Sequence, residues 1–136
     1  VKYLIGRTAL IQSVDRVPLL DELEKRSVAG KVTTEILLEV NGGGEKSKSG
    51  VLADGAEELL GYAETCAHIR VRGMMCVLPK NAPHALYEKA CALYEKMQKS
   101  CATFDTLSMG MSDDFETAIM CGATMIRPGQ ALFGAR

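Results

Sequence analysis

The sequence predicts an α/β fold built on a parallel sheet, and three observations support this prediction. Short apolar runs alternate with longer segments of helical periodicity, with a repeat of about 20 to 35 residues. One run, TEILLEV at 34–40, is nearly continuously apolar, as a strand covered on both faces should be. No linker or low-complexity tract interrupts the alternation, so the 136 residues are interpreted as one domain of successive β/α units.

Five strands follow from the positions of the apolar runs. Each run is short and is bounded by glycine, proline or polar residues, which favour turns. The strands are predicted at 8–14, 34–40, 69–77, 104–109 and 123–127.

Four helices are predicted from apolar positions that are spaced three and four residues apart. In the first helix, Leu19, Leu20, Leu23 and Val28 share one side. The segment 82–98 has the most regular apolar stripe, which indicates a helix packed along one face. The other two helices are predicted at 54–65 and 113–121.

The composition narrows the class of partner. Sixteen Lys and Arg against seventeen Asp and Glu give a net charge of −1, so no overall field attracts nucleic acid or an anionic membrane. No apolar run approaches the roughly 20 residues that a membrane-spanning helix needs. We therefore expect a small-molecule partner, with no nucleic acid and no membrane.

The five cysteines form no Cys-x-x-Cys pair and lie ten or more residues apart. This pattern is typical of buried thiols in a reducing compartment, and it favours neither a disulfide framework nor a zinc site. His68 and His84 also lack the spacing of metal ligands. A cytoplasmic protein without a metal centre is the expectation.

The number of strands leaves the architecture open between two solutions. Five parallel strands fit an open doubly wound sheet, or they form part of a (β/α)8 barrel, which usually takes about 250 residues. The chain begins with Val1 rather than methionine, and an upstream segment is expected.

The glycine-rich segment NGGGEKSKSG at 41–50 suggests a phosphate-binding P-loop at first sight. That motif needs a glycine directly before its lysine, and here Glu45 stands beside Lys46. The segment is therefore interpreted as a mobile loop at the carboxyl end of a strand, where it could cover a ligand.

A better candidate is SMGMSDDF at 108–115, which joins a strand to the start of a helix. Unpaired N–H groups at such a point favour an anion, and Ser112 could bond to it. The alternative is that Ser112 only caps the helix. Asp113 and Asp114 oppose an anion unless their side chains turn outward into solvent.

The segment MIRPGQALFG at 125–134 supplies a second turn of the same kind. Pro128 fixes the bend and Gly129 exposes backbone N–H groups. In barrels, phosphate sites are often built from the loops after the last two strands, which would make the two turns neighbours. Arg127 is then either a structural ion pair or a cofactor partner. No nucleophile and base occur at a recognisable spacing.

Four segments in this order, VNGGGEKSKSG, IRVRGMM, LSMGMSDDFETAI and RPGQALFGAR, resemble the pyridoxal phosphate homeostasis proteins, relatives of the barrel domain of alanine racemases. The resemblance extends over the whole chain. It implies that residues 1–136 are the carboxyl-terminal part, about strands 4 to 8, of a TIM-type barrel that binds pyridoxal 5'-phosphate. About three preceding β/α units are expected.

The same resemblance implies a set of cofactor-binding residues. Ser112, with Met111 in the same turn, and the turn of Gly129 and Gln130 are expected to hold the phosphate, and Arg127 is expected to face the pyridine nitrogen. Two positions depart from the family pattern. Pro128 replaces an aliphatic residue and Gln130 a small hydroxyl residue, so phosphate contact at Gln130 is expected through its backbone.

The resemblance also implies a Schiff-base lysine in the first of the preceding units. This sequence has no counterpart of that lysine, and neither Lys46 nor Lys48 matches its motif. We therefore expect that this portion keeps the phosphate site but cannot form the native covalent link.

The resemblance implies an intracellular carrier or buffer of the cofactor that influences amino-acid balance, rather than an enzyme. An amino-acid racemase, suggested by the RPG match, and another phosphate-binding barrel enzyme are the alternatives. The intact family is expected to be monomeric. The isolated portion is expected to self-associate through its two open sheet edges.

Overall fold

The strands of the computed structural model, which describes residues 1–45 and 48–135, form one parallel six-stranded sheet. Each of the five predicted strands is present; the strand at 69–77 has the predicted bounds, and the other four have shifted ends. The strands are β1 (Ile11–Val14), β2 (Thr34–Asn41), β3 (Val51–Leu52), β4 (Ile69–Val77), β5 (Thr106–Met111) and β6 (Met125–Arg127).

Five helices in the part of the chain that the structure describes connect or follow these strands. None of the helices in the described ranges is long and apolar enough to cross a bilayer. The helices are α1 (Val17–Gly30), α2 (Ala53–Glu64), α3 (His84–Gln98), α4 (Phe115–Met120) and α5 (Gly129–Phe133).

Several element boundaries differ from the sequence-based prediction, for local reasons. The first strand starts at Ile11 rather than at residue 8, because the backbone N–H of Thr8 donates to Leu4 O in a turn (3.1 Å). The helix predicted to start at residue 82 starts at His84, since Pro83 precedes it in an extended conformation. The fourth strand runs on to Met111, which brings it level with the end of β6.

Two elements and one core position were not predicted. The two-residue strand β3 pairs with the end of β2, and α5 follows the turn at Pro128. In α1, Val28 is 49% exposed, contrary to the predicted stripe, and Ser27 is buried instead. The Ser27 hydroxyl is satisfied there by the hydroxyl of Thr34 at 2.7 Å.

The strand order decides between the two architectures. The main strands lie in chain order, β1-β2-β4-β5-β6, without the reversal of a doubly wound sheet. The sheet also curls, as a contact between two strands that are not neighbours shows. The hydroxyl of Ser108 on β5 donates to Gln12 Oε1 on β1 at 2.7 Å. Three strand spacings of about 4.8 Å separate β1 from β5, so two side chains of this size would not meet across a flat sheet. Sequential order and curl fit part of a barrel.

The two faces of the sheet differ in chemistry. One face packs against the helices and forms the core, with Ile36, Leu38, Met74 and Leu107 fully buried. The opposite, concave face carries polar groups, and Ser108 is fully buried there. A polar concave face is the surface from which a site can be built.

An ion network crosses the amino-terminal ends of β2, β4 and β5. Arg72 donates to both carboxylate oxygens of Glu35 (3.1 and 3.2 Å) and pairs with Asp105 at 2.7 Å. Arg70 also reaches Glu35, at 3.4 Å. The network joins three strands at the end of the sheet opposite the strand carboxyl ends.

This network should make stability depend on pH through Asp105. Hydrogen bonding from Arg72 lowers the pKa of Asp105 below its ordinary value of 3.8. The stabilisation that ionised Asp105 contributes is therefore complete above the ordinary pKa of the group. It is lost as pH falls through the lower pKa that Asp105 has in the folded protein. We expect the free energy of unfolding of the Asp105→Asn variant to fall less than that of the unmodified protein between pH 5 and about pH 2.5, as measured by urea denaturation. Parallel curves would contradict this role.

Candidate functional site

A cavity of about 840 Å³ lies at the carboxyl ends of β4, β5 and β6. Its wall is made from the three segments that follow these strands. All five residues predicted to bind a cofactor line it: Met111, Ser112, Arg127, Gly129 and Gln130. The structure therefore brings the two predicted turns to one place.

Gly110 sets the path of the first turn. Its φ of +108° is a conformation that L side chains rarely adopt, and an added Cβ would lie 2.8 Å from the Cβ of Ala118 and 2.9 Å from the Cα of Phe115. The chain can bend this tightly into α4 only with glycine here.

Ser112 does not cap the following helix. The cap position of α4 is Asp114, and Ser112 Oγ instead accepts the backbone N–H of Ala131 at 2.8 Å. This bond ties the first turn to α5 in the second turn. Because the oxygen is used as an acceptor, the hydroxyl hydrogen can donate to a group in the cavity.

An anion at this turn would require the side chain of Asp114 to point outward into solvent. The side chain of Asp114 points inward instead. One of its carboxylate oxygens accepts the N–H of Met111 (2.7 Å) and the other accepts the hydroxyl of Tyr87 (2.7 Å). The carboxylate therefore holds the turn in shape, and two donors partly compensate its charge. Asp113 is exposed, as expected.

Arg127 has its guanidinium fixed by two neighbouring strands. Nη1 donates to the hydroxyl of Ser108 (2.5 Å) and Nη2 donates to the carbonyl of Cys76 (3.2 Å). An ion pair to a carboxylate, the alternative weighed for Arg127, is not among the salt bridges of the described residues. Burial lowers the pKa of this guanidinium from its ordinary value, but an arginine stays charged in proteins.

The hydrogen bonds that link Arg127, Ser108 and Gln12 have a single donor-to-acceptor direction. Arginine can only donate, so Ser108 must accept from it and donate its own hydrogen to Gln12 Oε1. The amide of Gln12 is thereby oriented with its nitrogen towards the sulfur of Met125, at 3.3 Å. Ser108 and Gln12 were not identified from the sequence, because they are 96 residues apart.

Gly129 borders open space. Its φ is not in the left-handed region, and an added Cβ would meet nothing within 4 Å. Gly129 and Gln130 begin α5, where backbone N–H groups have no acceptor inside the helix. The hydroxyl of Ser112, these N–H groups and the Arg127 cation all lie at the cavity wall, where such donors suit an anionic ligand.

Two further residues of the cavity wall were missed by the sequence argument. Tyr87 lines the wall from α3, and burial together with its bond to Asp114 raises its pKa to about 12. It is therefore protonated at neutral pH and cannot act as a base there. Lys80, on the segment after β4, also lines the cavity and is exposed.

The glycine-rich segment 41–50 lies apart from this cavity. None of its described residues lines the wall, and Asn41 holds the segment by donating to Glu45 O at 2.6 Å. The predictions that concern Lys46 fall outside the described residues. His68 and His84 contact acidic side chains, and no group of three metal-ligating side chains occurs in the described ranges.

The curled, sequential parallel sheet with a cavity at the strand carboxyl ends defines the general class, an α/β protein of the barrel type, in which sites lie at that end. The sequence matches the model of the alanine racemase N-terminal domain over residues 2–136. The chain belongs to this family.

Within the family, the chain is similar to proteins named pyridoxal phosphate homeostasis protein, which confirms the resemblance seen in the sequence. It is 39% identical to the one from Aquifex aeolicus, matching 100% of this chain and 62% of the relative. It is 40% identical to the one from Pseudomonas aeruginosa, matching 93% of this chain and 55% of the relative. The chain thus spans little more than half of these relatives.

Among solved structures, the chain is similar to PipY of Synechococcus elongatus PCC7942 without PLP. The TM-score is 0.88 at 26% identity, and the match covers 98% of this chain and 65% of that chain. The structure of the same protein with PLP bound matches with a TM-score of 0.84 at 24% identity, over 98% of this chain and 64% of that chain. The similarity to the PLP-bound structure supports the assignment of the fold.

Proposed function

We propose that this chain supplies about strands 4 to 8 of a barrel that binds pyridoxal 5'-phosphate. The protein then acts in homeostasis of the cofactor, as a carrier or buffer that influences amino-acid balance. The observation that carries the proposal is the convergence of Ser112, Arg127, Gly129 and Gln130 on one cavity of about 840 Å³. The names of the relatives, and PLP bound to PipY, support the choice of ligand.

Each predicted residue has a definite task in this proposal. The hydroxyl of Ser112 and the N–H groups at Gly129 and Gln130 bind the phosphate, and Met111 belongs to the wall of the same turn. Arg127 faces the pyridine nitrogen, held there by Ser108. Its fixed charge disfavours protonation of that nitrogen. The bound cofactor would supply an electron sink for carbanions, and an unprotonated ring weakens that sink.

A carrier is favoured over a racemase by the relatives, which are named pyridoxal phosphate homeostasis proteins. A racemase needs two bases, one on each side of the ring. Measured racemisation of an amino acid by the full-length protein would favour the enzymatic alternative. A sugar phosphate or flavin copurifying with it would indicate a different phosphate-binding barrel.

The binding test compares pyridoxal 5'-phosphate with pyridoxal, which lacks the phosphate. We expect the phosphate ester to bind more tightly, and we expect Ser112→Ala to weaken its binding by about 10- to 100-fold, since a hydrogen bond to a charged group contributes about 1.5–3 kcal/mol. Pyridoxal binding should change little. Equilibrium dialysis with absorbance detection measures both ligands.

The matched control is Ser100→Ala, at the end of α3, where the hydroxyl donates to Met97 O at 3.0 Å. This variant loses one serine hydroxyl away from the cavity and should bind both ligands as the unmodified protein does. Equal affinity for the two ligands in the unmodified protein would contradict a phosphate site in this cavity.

A further inference from the structure

One face of α3 contacts the segment that carries α4. Tyr87 and Cys91 are four residues apart, so they lie on the same side of the helix as His84 one turn earlier. Tyr87 bonds to Asp114, the Sγ of Cys91 contacts the backbone carbonyl of Cys121, and the ring of His84 lies 3.8 Å from the Sγ of Cys121. Two thiols and an imidazole are thereby brought together from two elements.

These groups line a shallow depression of about 290 Å³ that is separate from the cofactor cavity. His84, Glu88, Cys91 and Cys121 all contribute to its wall. Both cysteines are partly exposed, so a small oxidant can reach them. None of the depression's lining residues belongs to the larger cavity.

The two thiols differ in their surroundings. Cys121 has the imidazole of His84 as its neighbour, and His84 in turn lies 3.4 Å from the carboxylate of Glu88. A thiol beside an imidazole can transfer its proton to the ring when it attacks. Burial raises the pKa of the Cys91 thiol, which makes that thiol the poorer first nucleophile.

We propose that Cys121 and Cys91 form a peroxide-oxidisable thiol pair, in which Cys121 reacts first and Cys91 closes a disulfide. The Cys121 sulfur attacks one oxygen of hydrogen peroxide. The O–O bond breaks, and a sulfenic acid and one water result, with His84 accepting the thiol proton and passing it to the leaving hydroxide. The Cys91 sulfur then attacks the Cys121 sulfur, the S–O bond breaks and a second water leaves.

The geometry leaves a short path for the second step. The Cys91 Sγ already contacts the backbone carbonyl of Cys121, so it lies against the residue that carries its partner thiol. The second step then needs rotation of the two side chains into disulfide geometry. The bridge would link α3 to the end of α4. It would lie on the helix face where Tyr87 holds the turn of the cofactor cavity through Asp114.

The test treats the purified full-length protein with hydrogen peroxide and maps its peptides by mass spectrometry. We expect loss of two hydrogens, about 2 Da, in a linked peptide pair that contains Cys91 and Cys121, with reversal by a thiol reductant. The Cys91→Ser variant should instead retain a sulfenic acid at Cys121 that dimedone labels. Cys121→Ser should show neither product.

Two controls separate a reactive site from general oxidation. Cys66→Ser, away from the depression, should form the bridge at the rate of the unmodified protein. His84→Gln should slow dimedone labelling of Cys121 in the Cys91→Ser background several-fold. A bridge that involves another cysteine, or equal labelling of all five cysteines, would overturn the proposal. An unchanged labelling rate in His84→Gln would overturn the role given to the imidazole.

Discussion

Replacing Arg127 with methionine is expected to weaken the binding of pyridoxal 5'-phosphate by about 10- to 100-fold, in line with the roughly 1.5–3 kcal/mol of a hydrogen bond to a charged group. Methionine keeps most of the length of the side chain and removes its charge. The change also takes the donor away from the Ser108 hydroxyl and the Cys76 carbonyl, which the guanidinium joins across two strands. Binding to the purified protein is measured by absorbance titration.

Two further variants make this result specific. Arg127→Lys keeps a positive charge but loses the planar fork that reaches both partners, so it should restore only part of the affinity. Arg7→Met removes one exposed arginine outside the cavity wall and should leave binding unchanged. Affinity of Arg127→Met equal to that of the unmodified protein would show that Arg127 does not contact the ligand.

Replacing Gly73 with alanine is expected to destabilise the protein by more than about 4 kcal/mol, which is an exceptional value for one substitution. An added Cβ would stand 1.8 Å from the carbonyl oxygen of Thr106 and 2.7 Å from its carbon, within the pairing of β4 and β5. The two strands must separate to admit it. Both carry segments of the cavity at the strand carboxyl ends, so ligand binding should fall together with stability.

The control for Gly73→Ala is the same substitution at Gly61 in α2. There, nothing lies within 4 Å of an added Cβ, and alanine is favoured over glycine in a helix by about 1 kcal/mol. Gly61→Ala should therefore raise the melting temperature while Gly73→Ala lowers it or prevents folding. A Gly73→Ala variant that melts near the unmodified protein would contradict the close approach of β4 and β5.

The sequence predicted the parallel α/β order and the convergence of the two turns because both follow from local patterns and from chain topology. Apolar runs mark the strands, and consecutive β/α units place the strand carboxyl ends at one edge. Ser112 and Arg127 could therefore be assigned to one cavity before any distance was known, although the contact of Ser112 with Ala131 could not.

What the sequence could not supply are contacts set by long-range geometry. Gln12 and Ser108 meet only because the sheet curls, and no local pattern encodes the degree of curl. The inward position of Asp114 depends on Tyr87 from a different unit, whereas local electrostatics could give only the condition under which this carboxylate tolerates an anion. Ser27 can be buried because its hydroxyl forms a hydrogen bond with the hydroxyl of Thr34. A prediction from apolar periodicity cannot include such a polar pair.

The proposed site is tested most directly by the structure of the full-length protein with pyridoxal 5'-phosphate bound. The phosphate is expected between the turn at Gly110–Ser112 and the turn at Gly129–Gln130, within hydrogen-bonding distance of Ser112 Oγ, and Arg127 is expected beside the ring nitrogen. A ligand bound elsewhere, or a phosphate without contact to either turn, would contradict it.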